Sequence, residues 1–262
     1  MEAVTGVFPD QATAQRAADA LRLKGVTPDH VTLLAPGDTR TASSGVTVDA
    51  SEQPGIGKAI GAVVGAAGGF SGGSMLIAAM IPGIGMVTAA GLLGAAILSA
   101  AGAAIGAVAG GKLDDSLSQG LPEDEIYVYE DALRKGRSIV IAMANGISAD
   151  SIREVLTAQG AESIDAARHQ WWIGLRGAEH EHYSTTGRDF EKDERFYRCG
   201  FEDALHAKSR CKEFDQISAE MDSRVEDIEK QNPGTDAAEA YTRGYQRGRE
   251  YYQRFCDQSK AA

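Results

Sequence analysis

Residues 59–111 read AIGAVVGAAGGFSGGSMLIAAMIPGIGMVTAAGLLGAAILSAAGAAIGAVAGG, a run of 53 residues without a charged side chain between Lys58 and Lys112. Pro82, followed by glycine, divides the run into two stretches. At about 1.5 Å of rise per residue, a helix over either stretch would exceed the roughly 30 Å hydrocarbon core of a bilayer. The run therefore predicts an apolar helical hairpin over residues 55–111.

Glycine recurs in and beside this run at a step of four residues. Because these positions lack side chains, two helix backbones can approach closely and exchange dispersion and Cα–H···O contacts. The pattern predicts glycine-zipper packing and homo-oligomerisation. The two rows are Gly57, Gly61, Gly65, Gly69 and Gly73, and Gly102, Gly106 and Gly110.

The same run allows two environments. Its length favours insertion in a bilayer, and the lysines at both ends favour two cytoplasmic ends. Alanine and glycine add little hydrophobicity, so the alternative is a hairpin buried at the centre of a soluble high-order shell or filament. Few polar residues and no charges lie in the run, and this favours structural packing over an ion pore.

The rest of the chain is acidic. All 26 Lys and Arg and all 37 Asp and Glu lie outside the run, and the formal net charge is -11. This balance argues against nucleic acid as a main partner, since phosphate binding needs a clustered basic surface. The opening MEAVTGVFPDQ has no signal-peptide pattern. We expect the protein at the cytoplasmic face of the inner membrane or, alternatively, in the cytoplasm.

A β-α-β pattern precedes the run. Residues 3–8 alternate and are rich in β-formers, which predicts a strand. Asp10 offers an N-cap for a helix that Gly25 closes, and residues 30–35 predict a second strand.

A second β-α-β pattern follows the run. Its strands are predicted at 138–144 and 161–166, around a helix capped by Ser148 and ended by Gly160. A further helix is expected over 122–135.

The two patterns together predict an α+β fold. Domain 1–54 with 112–166 would be a ferredoxin-like split βαβ sandwich, interrupted by the apolar hairpin. A mostly helical C-terminal domain would occupy residues 167–262.

The C-terminal region contains an internal repeat. Residues 196–204 (FYRCGFEDA) and 240–248 (AYTRGYQRG) both read aromatic, two residues, glycine, aromatic. Helical spacing places the aromatic residues of each copy on one stripe, which favours a core or an oligomer contact over a ligand-stacking site. Between the copies, 213–229 predicts a charged amphipathic helix that Asn232-Pro233-Gly234 ends.

The tract Glu179-His180-Glu181-His182 is the only concentrated set of metal-ligand side chains. His180 and His182 are weak candidates for zinc or manganese. Alternating ligands point to opposite faces of an extended chain, so a solvated polar loop is favoured. Trp171 and the adjacent tryptophan are expected to pack rather than to meet lipid. No catalytic residue, cofactor or small-molecule substrate is predicted.

Residues 3–166 resemble the bacterial general stress protein 17M-like family, which includes low-temperature-induced cyanobacterial proteins. The stretches that carry the likeness are VTGVFPDQATAQRAADALRLKG, the glycine-rich run, and LPEDEIYVYEDALRKGRSIVIAMA. The tail resembles an extension on some of these proteins through HYSTTGRDF, FYRCGFEDAL and YTRGYQRGREYY. The resemblance implies stress association and a ferredoxin-like half-domain pair around a glycine-zipper insert, with no established activity.

The sequence therefore predicts a non-enzymatic stress-associated protein that self-assembles through its glycine-zipper hairpin. Its expected partners are copies of itself and a lipid bilayer. The alternatives are the membrane-free oligomer described above and a stress protein that binds a metal or another ligand.

Overall fold

The computed structural model describes residues 2–37, 76–81, 84–91, 94, 97, 124–206, 209 and 214–261. The chain divides into two compact units. The first unit comprises Met1–Pro122 and Val128–Arg168, and the second comprises Glu123–Tyr127 and His169–Ala262.

The first unit is a mixed α/β structure built on one antiparallel sheet. The strands follow one another across the sheet in the order β3-β4-β2-β5-β1-β6. The elements in chain order are β1 (Glu2–Phe8), α1 (Gln11–Leu23), a short 3-10 helix (Pro28–His30), β2 (Val31–Pro36), β3 (Leu76–Ile81), β4 (Gly85–Ala90), α2 (Ile126–Arg134), β5 (Ser138–Ala144), α3 (Ala149–Ala158) and β6 (Glu162–Ser163).

Capping side chains fix the start of the two helices that flank these strands. The Asp10 carboxylate accepts a hydrogen bond from the Thr13 amide at 2.8 Å, and Ser148 accepts one from the Ser151 amide at 3.2 Å. Each side chain satisfies an amide that the first helical turn leaves unpaired. Both predicted caps are confirmed, and the strand prediction at 138–144 matches β5.

One face of the sheet holds the core beneath α1 and α3. The helices contribute apolar residues at helical spacing, which form one continuous stripe on each. The buried residues of this core include Val4, Phe8, Leu33, Val140 and Ala142 from the strands and Ala14, Ala17, Ala18, Leu21, Ile152 and Leu156 from the helices.

The opposite face of the sheet is buried as well. Val7, Leu34, Ile139 and Ile141 alternate with the core residues along their strands and are fully buried. On this face the Thr5 hydroxyl is 3.0 Å from the hydroxyl of Tyr129, which α2 supplies. The central strands thus follow the continuous apolar pattern of strands covered on both sides.

The middle of the uncharged run forms strands, so the helical-hairpin prediction is wrong for Leu76–Ile81 and Gly85–Ala90. β4 pairs with both β3 and β2, and these ladders satisfy its backbone groups. The chain reverses where the Ile84 amide donates to the Ile81 carbonyl at 3.1 Å, and Gly85 follows with a φ of +102°. A positive φ suits glycine, which has no Cβ to clash.

The zipper glycines Gly57 to Gly73 and Gly102 to Gly110 lie outside the described residues, and their packing stays a prediction. The ladders place β3 and β4 in the sheet, which removes those residues from both proposed membrane-length helices. No helix in the described ranges combines the length and the apolar character that crossing a bilayer requires.

Two further boundaries differ from the prediction. The helix expected over 122–135 begins at Ile126, so Asp124 and Glu125 precede it. The strand expected over 161–166 keeps only Glu162 and Ser163. Ser163 then caps the next helix, because its hydroxyl accepts from the Ala166 amide at 3.2 Å.

From His169 onward, the second unit consists of two helical hairpins. The first hairpin is α4 (Ile164–Ser184) with α5 (Phe190–Leu205), and the second is α6 (Phe214–Gln231) with α7 (Ala237–Ala261). The predicted amphipathic helix is confirmed as α6. It ends directly before Asn232, and Gly234 in the following turn has a φ of +75°.

Candidate functional site

The two copies of the aromatic–glycine repeat pack against each other where α5 crosses α7. A Cβ on Gly200 would overlap the Tyr241 carbonyl oxygen and lie 2.8 Å from the Tyr245 amide nitrogen. A Cβ on Gly244 would overlap the carbonyl oxygen of Tyr197. Both positions therefore require glycine, since the helices meet backbone to backbone.

The contact is reciprocal. Gly200 of the first copy meets Tyr241 of the second, while Gly244 of the second meets Tyr197 of the first. The helices run parallel, because Tyr197 meets Gly244 and, further along, Phe201 meets Gly248. Equivalent positions exchange contacts, as across a twofold axis between two subunits. The repeat is thus an internal core contact, as the sequence favoured.

A buried ion pair lies beside the first copy of the repeat. The Tyr197 hydroxyl donates to Oε2 of Glu179 at 2.8 Å. Arg247 donates to the same oxygen from Nε at 2.9 Å and to Oε1 from Nη2 at 3.2 Å. The side chains of Arg247 and Glu179 are only 13% and 3% exposed. We call these three residues the closed triad.

The closed triad shifts the pKa of two of its members. Burial raises the pKa of the Tyr197 hydroxyl, and the adjacent Glu179 carboxylate raises it further. Burial is the largest influence on Arg247 and opposes its charge, but the hydrogen bonds and charge of Glu179, with smaller effects of Glu250 and Tyr197, together raise the pKa of the guanidinium. The Tyr197 hydroxyl therefore keeps its proton, and Glu179 and Arg247 form a full ion pair. This arrangement stabilises the structure rather than activating a nucleophile.

A second set of the same residue types lies beside the second copy. The Tyr241 hydroxyl donates to Oδ2 of Asp203 at 3.0 Å. Arg224 approaches that oxygen with Nε at 3.8 Å, beyond hydrogen-bond length, and its side chain is 53% exposed. We call Tyr241, Asp203 and Arg224 the open triad. Burial raises the pKa of Tyr241, and the Asp203 charge adds to this.

The two triads take their carboxylate and their guanidinium from opposite kinds of helix, one outer and one inner. In the closed triad the carboxylate comes from α4, the outer helix, and the guanidinium from α7, an inner helix of the crossing. In the open triad the carboxylate comes from α5 and the guanidinium from α6. Arg247 and Asp203 occupy equivalent positions in the aligned repeats, so one inner position is cationic and the other anionic.

The tract at residues 179–182 lies within α4, so its prediction as a polar loop is wrong. Glu179 is buried in the core, where it pairs with Arg247. A carboxylate can be buried at low cost only when it has such a partner. His180 is exposed and packs against Phe190, with the rings tilted at 41° and their centroids 5.1 Å apart, and His182 is exposed. Within the described ranges no cluster of three or more His, Cys, Asp or Glu side chains is arranged to hold a metal ion.

Both tryptophans are buried, and their expected packing role is confirmed. Trp172 Nε1 donates to Glu194 Oε1 at 2.8 Å, and Arg176 binds both oxygens of the same carboxylate at 2.7–3.0 Å. Hydrogen bonds from Arg176 lower the pKa of Glu194, although burial opposes this shift. Trp171 packs edge-on against Tyr127 with ring centroids 4.8 Å apart.

Cys199 lies next to the open triad and is a free thiol. Burial raises the pKa of this thiol and the charge on Asp203 raises it further, while Arg224 opposes the shift from 3.9 Å. A raised pKa disfavours the thiolate, which is the reactive form.

Sequence reasoning identified the repeated tyrosines but missed their carboxylate partners. Glu179 and Arg247 are separated by 68 positions in the chain, and no local pattern joins them. One available signal was the opposite charge at the aligned positions 203 and 247, which suggests different partners for the two copies. No protein-family model matches this chain, and it has no match among the curated proteins or the solved structures.

Proposed function

We propose that this chain is a non-enzymatic, stress-associated protein that assembles with copies of itself, and that strand β3 forms part of the contact. Stress association rests on the resemblance given above. Self-assembly rests on the uncharged run and on where β3 lies in the sheet. The order β2-β5-β1-β6, made by two β-α-β halves, supports a ferredoxin-like arrangement that the β3–β4 hairpin extends.

The observation that carries the proposal is the difference between the two ends of the sheet. At one end, β6 has two residues, and its Glu162 pairs with Arg137. At the other end, β3 has six residues, LIAAMI, with neither charge nor proline. Edge strands in monomeric proteins are usually short, charged or interrupted, because a long apolar edge recruits another strand. β6 follows that rule and β3 departs from it.

Among the residues that the structure describes, no strand lies on the outer side of β3, and pairing between two copies of β3 would satisfy the backbone groups there. An antiparallel pair places equivalent residues near one another across a twofold axis. A charge introduced near the middle of β3 would then meet its own copy, and like charges directly opposite each other destabilise a strand pair. The contact would therefore be sensitive to one lysine.

Sedimentation velocity of the full chain at micromolar concentration tests this proposal. We expect an oligomer for the unmodified protein and a smaller species for Ala78→Lys or Ala79→Lys, two adjacent positions in the middle of β3. Ala12→Lys, on the exposed surface of α1, adds the same charge and should leave the oligomer unchanged. A monomeric parent protein, or an oligomer unaffected by both strand variants, would contradict the proposal.

The location of the assembly belongs to the same proposal. The uncharged residues that flank β3 and β4 in the sequence, bounded by Lys58 and Lys112, support attachment at the cytoplasmic face of the inner membrane. Fractionation without detergent separates this from an assembly free in the cytoplasm. Sedimentation of the protein with the membranes, and its release by detergent but not by high salt, is the result expected for an inserted segment.

A further inference from the structure

A cavity of about 450 Å³ opens beside the open triad, among α5, α6 and α7 of the second unit. Its walls include Asp203, His206, Arg224, Asp227, Tyr241 and Tyr245. The volume falls within the range of pockets that hold small ligands. The cavity is thus large enough for a small molecule and is lined by both charged and aromatic groups.

The charges on the cavity wall are unbalanced. Two carboxylates, Asp203 and Asp227, face one guanidinium, Arg224, and one imidazole, His206. Arg224 and His206 reach Asp203 only at 3.8 and 3.9 Å. The structure gives Asp227 no ion-pair partner among the residues it describes. A wall with this composition attracts a cation, since an added positive charge would complete the pairing.

The closed triad shows what fills the equivalent space in the first copy. There the Arg247 guanidinium binds both oxygens of Glu179, the carboxylate to which the Tyr197 hydroxyl donates. In the second copy, the tyrosine and the carboxylate are present, but no guanidinium binds the carboxylate within hydrogen-bond distance among the described residues. The second copy therefore has the acceptors for a cationic group that the protein itself supplies in the first.

The aromatic residues favour an organic cation over a metal ion. The rings of Tyr241 and Tyr245 lie with centroids 6.3 Å apart on the cavity wall. An aromatic face attracts a guanidinium or ammonium group through its quadrupole and also covers the carbon chain that carries the group. Small inorganic ions such as magnesium instead need several converging oxygen ligands.

We propose that this cavity binds a small organic cation with a guanidinium or ammonium group, held by Asp203 and Asp227 beside the Tyr241 ring. The site is independent of the strand contact proposed above. It adds a ligand class to a protein whose assembly requires none.

Isothermal titration of the full chain with agmatine, which carries both cationic groups, tests the proposal at constant ionic strength. We expect saturable binding of one agmatine per chain with a Kd below about 1 mM. Magnesium chloride at the same ionic strength should not compete. The absence of saturable binding, or displacement of agmatine by magnesium at equal charge, would overturn the proposal.

A matched pair of variants on α6 locates the site. Asp227→Asn should weaken agmatine binding by about tenfold, because it removes one of the two wall carboxylates. Asp222→Asn makes the same change on the same helix, outside the cavity wall, and should bind like the parent protein. If both variants weakened agmatine binding equally, agmatine would be attracted to the acidic chain as a whole. That result would overturn the proposed site. Asp227 is exposed, so its substitution should not disturb folding.

Discussion

The two hairpins of the second unit use the same aromatic–glycine repeat and reach different results. In α4–α5, the hydroxyl of the repeat tyrosine donates to a buried carboxylate that is fully paired with a guanidinium. In α6–α7, the equivalent tyrosine lines a cavity, and the carboxylate that it bonds lies beyond hydrogen-bond distance of the nearest guanidinium. The glycine crossing is shared, and the charged partners differ. The comparison teaches that the repeat specifies how the inner helices meet, while residues outside it decide whether the adjacent space is closed or open.

The glycine crossing is common to both hairpins, and its disruption should have the largest effect. In Gly244→Ala the new Cβ overlaps the Tyr197 carbonyl oxygen, and backbone cannot move aside as a side chain can. We expect the second unit to lose more than about 4 kcal/mol of its free energy of unfolding. Urea unfolding followed by tryptophan fluorescence measures this unit specifically, because both tryptophans of the chain lie in it.

Gly174→Ala is the matched control for the crossing. Gly174 lies on α4, and an added Cβ there meets nothing within 4 Å. Alanine is favoured over glycine in a helix by about 0.5–1 kcal/mol, so this variant should be slightly more stable. Equal stability of the two alanine variants would refute close backbone contact at the crossing.

The closed triad should give the next largest effect. Glu179→Gln leaves the Arg247 guanidinium buried without a charged partner, which should cost about 3 kcal/mol. Tryptophan fluorescence in urea again reports the loss. Adding Arg247→Met removes the unpaired charge and should restore part of the stability. A double variant less stable than Glu179→Gln would contradict this account.

The Glu194 carboxylate should make the first hairpin sensitive to acid. Its lowered pKa in the folded state means that its stabilisation is complete above the unfolded value near 4.5 and is lost as the pH falls through the folded value. At neutral pH, Glu194→Gln should cost about 1 kcal/mol, since the Arg176 partner is 42% exposed and water screens the pair.

The difference in unfolding free energy between the parent protein and Glu194→Gln should therefore shrink between about pH 7 and about pH 3. Glu226→Gln on exposed α6 is the control, because its only described ion pair is to the exposed Lys230. A difference that stays constant across this range would show that the carboxylate charge does not stabilise the hairpin.

The open triad should give the smallest effect. Asp203→Asn keeps an oxygen that can accept from Tyr241 and loses only two long contacts, to the exposed Arg224 at 3.8 Å and to His206 at 3.9 Å. We expect a change below about 1 kcal/mol in urea unfolding. A loss as large as that for Glu179→Gln would erase the distinction between the closed and open triads.

Elements with strong local signals were predicted well. Residues 138–144 form the most β-rich segment and match β5, while Asp10 and Ser148 cap their helices as expected. Residues 76–90 were predicted incorrectly, because alanine, leucine and methionine suit helices and the long uncharged run dominated the interpretation. Pairing of β4 with β2 decided their structure, and no local pattern reports that contact.

The candidate site was predicted only in part. The repeat around Gly200 and Gly244 was visible as a spacing, and its role in a core contact followed from the helical period. The polar partners were not visible, since Glu179 appeared as one member of an exposed charged tract. Its burial depends on Arg247, which a different helix supplies. Such long-range charge pairs are decided by tertiary packing alone.

The position of β1 between β5 and β6 has a consequence for biosynthesis. Both neighbours of β1 lie after the uncharged run in the chain. A ribosome therefore delivers β1, β2 and the whole run before it delivers either strand that pairs with β1. Pairings this distant form slowly, and apolar segments exposed meanwhile can associate with those of neighbouring nascent chains. The order of the strands thus sets an interval during synthesis in which β1 has neither of its strand partners.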